Sequence, residues 1–485
     1  MIAADGHCTS RASQRSFQID SVAILDEATL HHPAKRRVIF HQEHAHEPPS
    51  SHMNDEHTMK RTFTGCSCSV RHHSSMANDS STANDNALTS HVLRRLTFGM
   101  HPERLAQFNG WKPTDVIEQL LTEPALEPVG PELGSDDDYS QLPEWWLRVM
   151  SGADAGVHER MVWFWHTLVT SGLSKVNPAL MYRQHKVLRE HAMGNLRDLL
   201  QAIAVDAAML YWLDGSGSTV QEPNENFARE VMELFALGRN ADVYSEADVR
   251  AGAKAFSGWW VDGDNSDEVR FDPDNALTSS VEFLGATVRT AEDAINAICD
   301  HPQCARHIAG RLAHFLAGSE PTDDRLNELS GVFADSGLEI RPLVEAIVRD
   351  PGFLDQRYNR PRTSVEWLIS LRHLFDIEIE GYYLDGLGQM PFDPPNVAGW
   401  PGDNRWVSAG NDLGKAQIAS DRAGDTATLD ETDPVGDVLA RAGLFEVSDA
   451  TISVLSDAVH TVESRRDLST LLHALVACSP EFSLA

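Results

Sequence analysis

Residues 223–238 read PNENFAREVMELFALG, and the spacing of their charged and apolar positions decides how the rest of the chain is read. At about 100° per residue, Glu225, Arg229, Glu233 and Ala236 fall in one sector. Phe227, Val231, Leu234 and Phe235 fall on the other side, so the spacing predicts an amphipathic helix from Asn224 to Leu237. Arg229 lies four residues from both Glu225 and Glu233 and can pair with either, and Glu230 and Asn226 border the same ridge. One reading is a polar site in which carboxylates and an arginine are held for proton transfer or for gripping a substrate. The other is a charge network that locks this helix to its neighbours.

The same helical period recurs from Leu88 onward. It predicts helices over Val157 to Thr170, Ala179 to Met193, Leu196 to Leu213, Glu246 to Ser257, Ala291 to Asp300 and Ala305 to Leu316. Further helices are expected over Asp323 to Ala334, Pro342 to Arg349, Ser364 to Phe375 and Ser469 to Ala477. Strand-like stretches are rare, and no repeat of solenoid length is present. The expected fold class is mainly α, a multi-helical globular domain over 86–418 with a small irregular or hairpin insertion near 262–283. The hairpin is placed at VRFDPD and SVEFLG. Residues 419–485 read as an acidic linker, Ala419 to Asp437, followed by a short helical tail.

Residues 1–85 differ in composition. Through Ser75 they hold ten of the 22 histidines and balance eight acidic against eight basic residues, so the net charge of −32 belongs to the rest of the chain. No helical or strand period persists in HQEHAHEPPSSHMNDEH (41–57) or SSMANDSSTANDNA, and a disordered His-rich polar leader is expected. A second reading starts translation at Met53, Met59 or Met76, leaving the leader out of the protein. Cys66 and Cys68 with His72 and His73 could hold a soft metal, but their spacing is not that of a zinc finger.

The acidity downstream argues against nucleic acid as a partner, because phosphates are neutralised by Lys and Arg. No apolar run approaches a membrane span and no signal peptide is legible, so a cytoplasmic location is expected. Six scattered cysteines do not make a disulfide framework. The sequence has no GxSxG, GxxxxGK[ST], GxGxxG, HExxH or CxxC motif, so it specifies neither a cofactor nor a metal.

Two further clusters carry polar groups. In RMVWFWHTLVTSG (160–172), His166 follows three aromatic residues and is expected to be buried. In RQHKVLREHAMGNLRDLL (183–200), His185 and Arg189 are an i,i+4 pair on one face. The segment GQMPFDPPNVAGWPGDNRW (388–406) cannot be regular helix, and its Pro and Gly residues set a rigid loop around Asn396 and Trp400 that can wall a pocket. The residues singled out for chemistry are Glu225, Arg229, Glu230, Glu233, His166, His185 and Arg189, with Asn224, Asn226, Asn396 and Trp400 as substrate contacts.

Together, HVLRRLTFG, WFWHTLVTSG, LREHAMGNLRDLL, PNENFAREVMELFALG, DVRAGAKAFSGWW and PPNVAGWPG resemble the bacterial family called domain of unknown function 1800, over about Leu88 to Gly410. The resemblance implies a predominantly helical protein of unassigned activity. It also implies a gene neighbour of a second, sulfatase-like family, domain of unknown function 1501, whose product is a possible partner. The family's FW-H-x-H-F pattern stands here as Trp165-His166-Thr167-Leu168-Val169, without the second histidine. Two function classes follow: a binding or assembly partner of that sulfatase-like protein, favoured because no nucleophile, metal or cofactor motif is complete, and an enzyme doing acid/base chemistry on an anionic small molecule.

Overall fold

Ser364–Phe375 is a helix whose twelve residues are all buried. A helix buried on every face belongs in the middle of a core, and this one begins with a capping box in which Thr363 and Glu366 satisfy each other's backbone N–H groups. The computed structural model describes residues 80–133, 139–239, 242–263, 268–402 and 405–485, with side chains from 84. The expectations for the leader up to residue 79, including the Cys66, Cys68, His72 and His73 cluster, lie outside the described residues.

Twenty α-helices and two small antiparallel sheets make up the regular structure among the described residues, so the fold is mainly α. Ser364–Phe375 packs against Gln141–Met150, Pro434–Arg441 and Arg465–Ala477. Val157–Leu168, also buried nearly all round, packs on Pro178–His191, which in turn covers Leu196–Ala204 and Ala207–Trp212. Pro302–Ala317, Asp323–Asp335 and Ile340–Val348 pack together as a further layer. Proline at the first helical position starts Pro113–Thr122, Pro178–His191 and Pro302–Ala317, where its missing N–H costs nothing.

Four features depart from the sequence expectation. The first helix begins at Ser80, inside the polar stretch assigned to the leader. The long helix expected over Leu196 to Leu213 breaks at Val205 and Asp206, because the Asp206 carboxylate caps a new helix by accepting from the Met209 N–H. The insertion holds two hairpins rather than one: Trp259–Asp262 pairs with Glu268–Phe271, and Val281–Phe283 pairs with Ala286–Val288. The second closes through Leu284 and Gly285, both at positive φ (49° and 76°), the backbone of a tight two-residue hairpin turn. Finally, the segment read as an acidic linker is helical at both ends, in Ala409–Arg422 and Pro434–Arg441, and the first of these packs on Arg465–Ala477.

Residues far apart in sequence meet beside the buried helix. Pro361 bridges to Leu484, Arg362 donates its N–H to the Ser483 carbonyl, and Arg95 donates from Nη2 to the Ala485 carbonyl at 2.9 Å. No helix among the described residues is long and apolar enough to cross a membrane.

Candidate functional site

The polar residues singled out from the sequence fall into two groups. His166, His185 and Arg189 lie in the core between Gln141–Met150, Val157–Leu168, Pro178–His191 and the 391–401 loop. Around them stand Trp146, whose ring centroid is 4.8 Å from that of His166 and 4.5 Å from that of His185, and Phe392, at 4.8 and 5.6 Å. Burial among these rings holds His166 neutral, its pKa lowered to about 3. A neutral imidazole has one acceptor nitrogen. His166 uses it: Nε2 accepts the Phe392 N–H at 3.1 Å.

That hydrogen bond fixes an unusual backbone. Phe392 has φ of +64°, a left-handed conformation that a bulky residue adopts only when its surroundings impose it. Besides the His166 bond, its carbonyl accepts the Leu173 N–H at 2.8 Å. His166 therefore acts as a clamp on the loop that follows.

His185 is likewise buried, and desolvation first, then the Arg189 charge, push its pKa well below the usual histidine value. Its Nε2 lies 3.4 Å from Arg189 Nη2, which can only donate, so Nε2 accepts and the proton sits on Nδ1, which has no partner among the described residues. The i,i+4 pairing expected of His185 and Arg189 is thus a direct contact. Arg189 also donates to Glu159 Oε1 at 2.6 Å and to the Leu126 carbonyl at 3.0 Å. Trp146 Nε1 donates to the same Glu159 oxygen at 2.7 Å, while Glu159 Oε2 is buried without a partner among the described residues. Glu159, seven residues before His166, is a partner that the sequence reading did not include. Both face Trp146, and that shared face was the available signal.

The second group lies on the ridge of residues 223–238, whose helix is α-helical only over Asn226–Glu230. Val231–Ala236 is a π-helical turn. The wider turn rotates the later positions, and Ala236, expected on the charged ridge, is buried while Leu234 is only half-buried. Arg229 forks onto Glu246 at 2.7 and 2.9 Å, reaches Glu225 at 3.2 Å and lies 3.8 Å from Glu233. Glu246 is the partner the sequence reading missed; it sits in the first turn of the next helix, between Ser245 and Asp248 of the capping box that opens it. The hydrogen bond from Arg229 holds the Glu246 carboxyl below its ordinary range, and Arg229 is held more firmly charged by the same contact. Burial and then the neighbouring Glu233 push the Glu230 carboxyl up. Asn224 accepts the Asn226 N–H, and Asn226 Nδ2 donates to the Leu213 carbonyl, so both shape the turn into this helix.

No hydrogen bond, ion pair or ring contact among the described residues joins the Glu225, Arg229, Glu230 and Glu233 ridge to His166, His185 or Arg189.

Two clefts flank the histidine core instead. One, of about 620 Å³, is lined by Asn396, Trp400, Arg405 and Trp406. The Trp400 ring stacks on Trp163 at 5.9 Å and lies 5.4 Å from His166, standing between that imidazole and the cleft. Asn396 turns its side-chain oxygen to the Ala398 N–H. Gly399, at φ of +79°, lies so close to the preceding helix that a Cβ would come 2.8 Å from the Thr167 carbonyl oxygen, which presses the loop onto that helix. The other cleft, of about 830 Å³, is lined by Glu144, Trp145, Arg148 and Tyr382, and Trp145 separates it from His185 at 5.3 Å. Both clefts have aromatic floors, and the acceptor nitrogens of the two histidines point away from them into internal bonds. Among the described residues no group of three or more His, Cys, Asp or Glu side chains is placed to hold a metal ion.

Residues 91–484 match the family model described as "Protein of unknown function (DUF1800)". No curated protein and no solved structure matches the chain.

Proposed function

For this chain, which belongs to the DUF1800 family, we propose a binding or assembly role rather than catalysis, its partner the sulfatase-like protein of domain of unknown function 1501 encoded by a neighbouring gene. The observation that carries this reading is the internal use of the buried polar groups of the histidine core and of the ridge arginine. His166 Nε2 is held by the Phe392 N–H, His185 Nε2 by Arg189, Arg189 by Glu159, and Arg229 by Glu246. A general base needs a lone pair facing its substrate, and the acceptor nitrogens of His166 and His185 face the core. A docking surface needs apolar area at the rim of a cleft. Tyr382, Val407 and Leu413 are exposed large apolar side chains, Tyr382 lining one cleft and Val407 adjoining residues that line the other.

Co-expression of this chain with the adjacent gene product, followed by affinity capture and size-exclusion chromatography, tests the proposal. A stoichiometric complex weakened by Tyr382→Ala is expected. Separate elution of the two proteins at about 10 μM, well above the Kd of a standard-sized interface, overturns it. Turnover of an anionic metabolite abolished by Arg229→Met would favour the enzyme reading instead.

A further inference from the structure

The most densely charged part of the core lies outside both groups described above. Arg94, Arg95, Arg160, Arg360 and Arg362 are all buried, none more than 4% exposed. They converge where the 358–366 segment meets residues 482–485. Arg160 and Arg360 both bond Glu366, Arg95 bonds the Ala485 carbonyl, and Arg94 bonds the Tyr358 hydroxyl and the Gly443 carbonyl. Glu366 is the one carboxylate in contact with the cluster among the described residues. Arg94, Arg95 and Arg362 form no ion pair with a side-chain carboxylate among the described residues, and a negative charge at Ala485 would answer only one of them.

Ring faces offset part of that excess. Arg160 lies over Phe98 and Phe315, Arg94 over Tyr358 and Arg362 over Phe482. Hydrogen bonding does not complete the rest. Nε and Nη1 of Arg95, Nε and Nη1 of Arg160, and both Nη atoms of Arg362 are buried donors without a partner among the described residues. A guanidinium holds its proton too firmly to neutralise itself in response to burial, although burial pushes Arg362 down to about 9. Buried charge of one sign is stable only when an opposite charge accompanies it.

We propose that the unpartnered N–H groups of Arg95, Arg160 and Arg362 bind a small inorganic anion, a halide or a compact oxyanion such as phosphate, which completes the charge balance of the core beside Glu366. The anion accepts from donors that only the fold buries together around Glu366, so it binds the folded chain and not the unfolded one, and it stabilises the fold by mass action.

The test is thermal unfolding of the full chain at constant ionic strength, with sodium gluconate replaced stepwise by bromide, chloride or phosphate. Binding is expected to raise the midpoint saturably, by roughly 2–4 °C. The halide and phosphate arms distinguish the two classes of anion. Arg362→Met is expected to remove the saturable rise while keeping the general, non-saturating effect of phosphate on apolar burial. If that variant fails to fold, bromide-soaked crystals of the unaltered chain decide, by an anomalous peak within hydrogen-bond distance of Arg362. Midpoints identical in gluconate, halide and phosphate, with no anomalous peak in the cluster, overturn the proposal.

Discussion

Acidification provides the sharpest test of the clamp formed by His166 and Phe392. In the unfolded chain His166 takes up a proton near its ordinary value of 6.5, whereas in the fold it resists protonation down to about 3. The unfolded state therefore binds more protons below 6.5, so the stability contributed by the neutral imidazole is complete above that pH and declines toward pH 3. At roughly 1.4 kcal/mol per pH unit the whole window is worth about 5 kcal/mol, of which about 1.4 kcal/mol is lost by about pH 5.5. His166→Gln isolates this quantity, because a glutamine carbonyl can accept the Phe392 N–H but does not titrate. Urea unfolding at about pH 7.5 is expected to show the variant less stable by about 1–3 kcal/mol, from altered shape and a poorer hydrogen bond. At about pH 5.5 that gap is expected to narrow by about 1.4 kcal/mol. A gap that stays constant or widens on acidification would mean that His166 is charged in the fold, and the assignment of Nε2 as acceptor would be wrong.

Other outcomes follow from the same geometry. Glu159→Gln leaves Arg189 buried with its carboxylate partner gone and is expected to cost about 3–5 kcal/mol, read by urea unfolding. Arg229→Met removes pairs on a side chain about one-third exposed, and solvent screening limits the expected loss to less than about 1 kcal/mol. Gly399→Ala places a methyl group against Thr167 at a positive φ; a loss of about 1–3 kcal/mol and a changed near-ultraviolet signal from the Trp400 and Trp163 stack are expected.

The helices were largely legible because apolar spacing and caps are local properties. Ala291–Asp300 and Ser364–Phe375 run as their periodicity predicts, each opened by a threonine capping box. The errors have equally local causes. Asp206 can cap a helix or lie within one, and only packing chose the break. The ridge at 223–238 was assigned with a 3.6-residue period that its π turn does not keep, so Ala236 and Leu234 were placed on the wrong faces. The polar site was less legible, because its partners are distant in sequence: Glu246 lies seventeen residues from Arg229, and Glu159 lies thirty from Arg189. The cluster around Glu366 could not be read at all, since five separated arginines look in sequence like ordinary surface charge.

The contact between Arg95 and the Ala485 carbonyl spans 390 positions. Closing a loop of that length costs roughly 5 kcal/mol of chain entropy, and few contacts reward the closure before Ser364–Phe375 is enclosed. The rate-limiting event in folding is therefore expected to be the docking of residues 482–485 onto the 358–366 segment, with the local helices formed earlier. Before that event a helix whose every residue ends up buried is open to other molecules, so a chaperone or a crowded refolding reaction acts on this protein at its last step rather than its first.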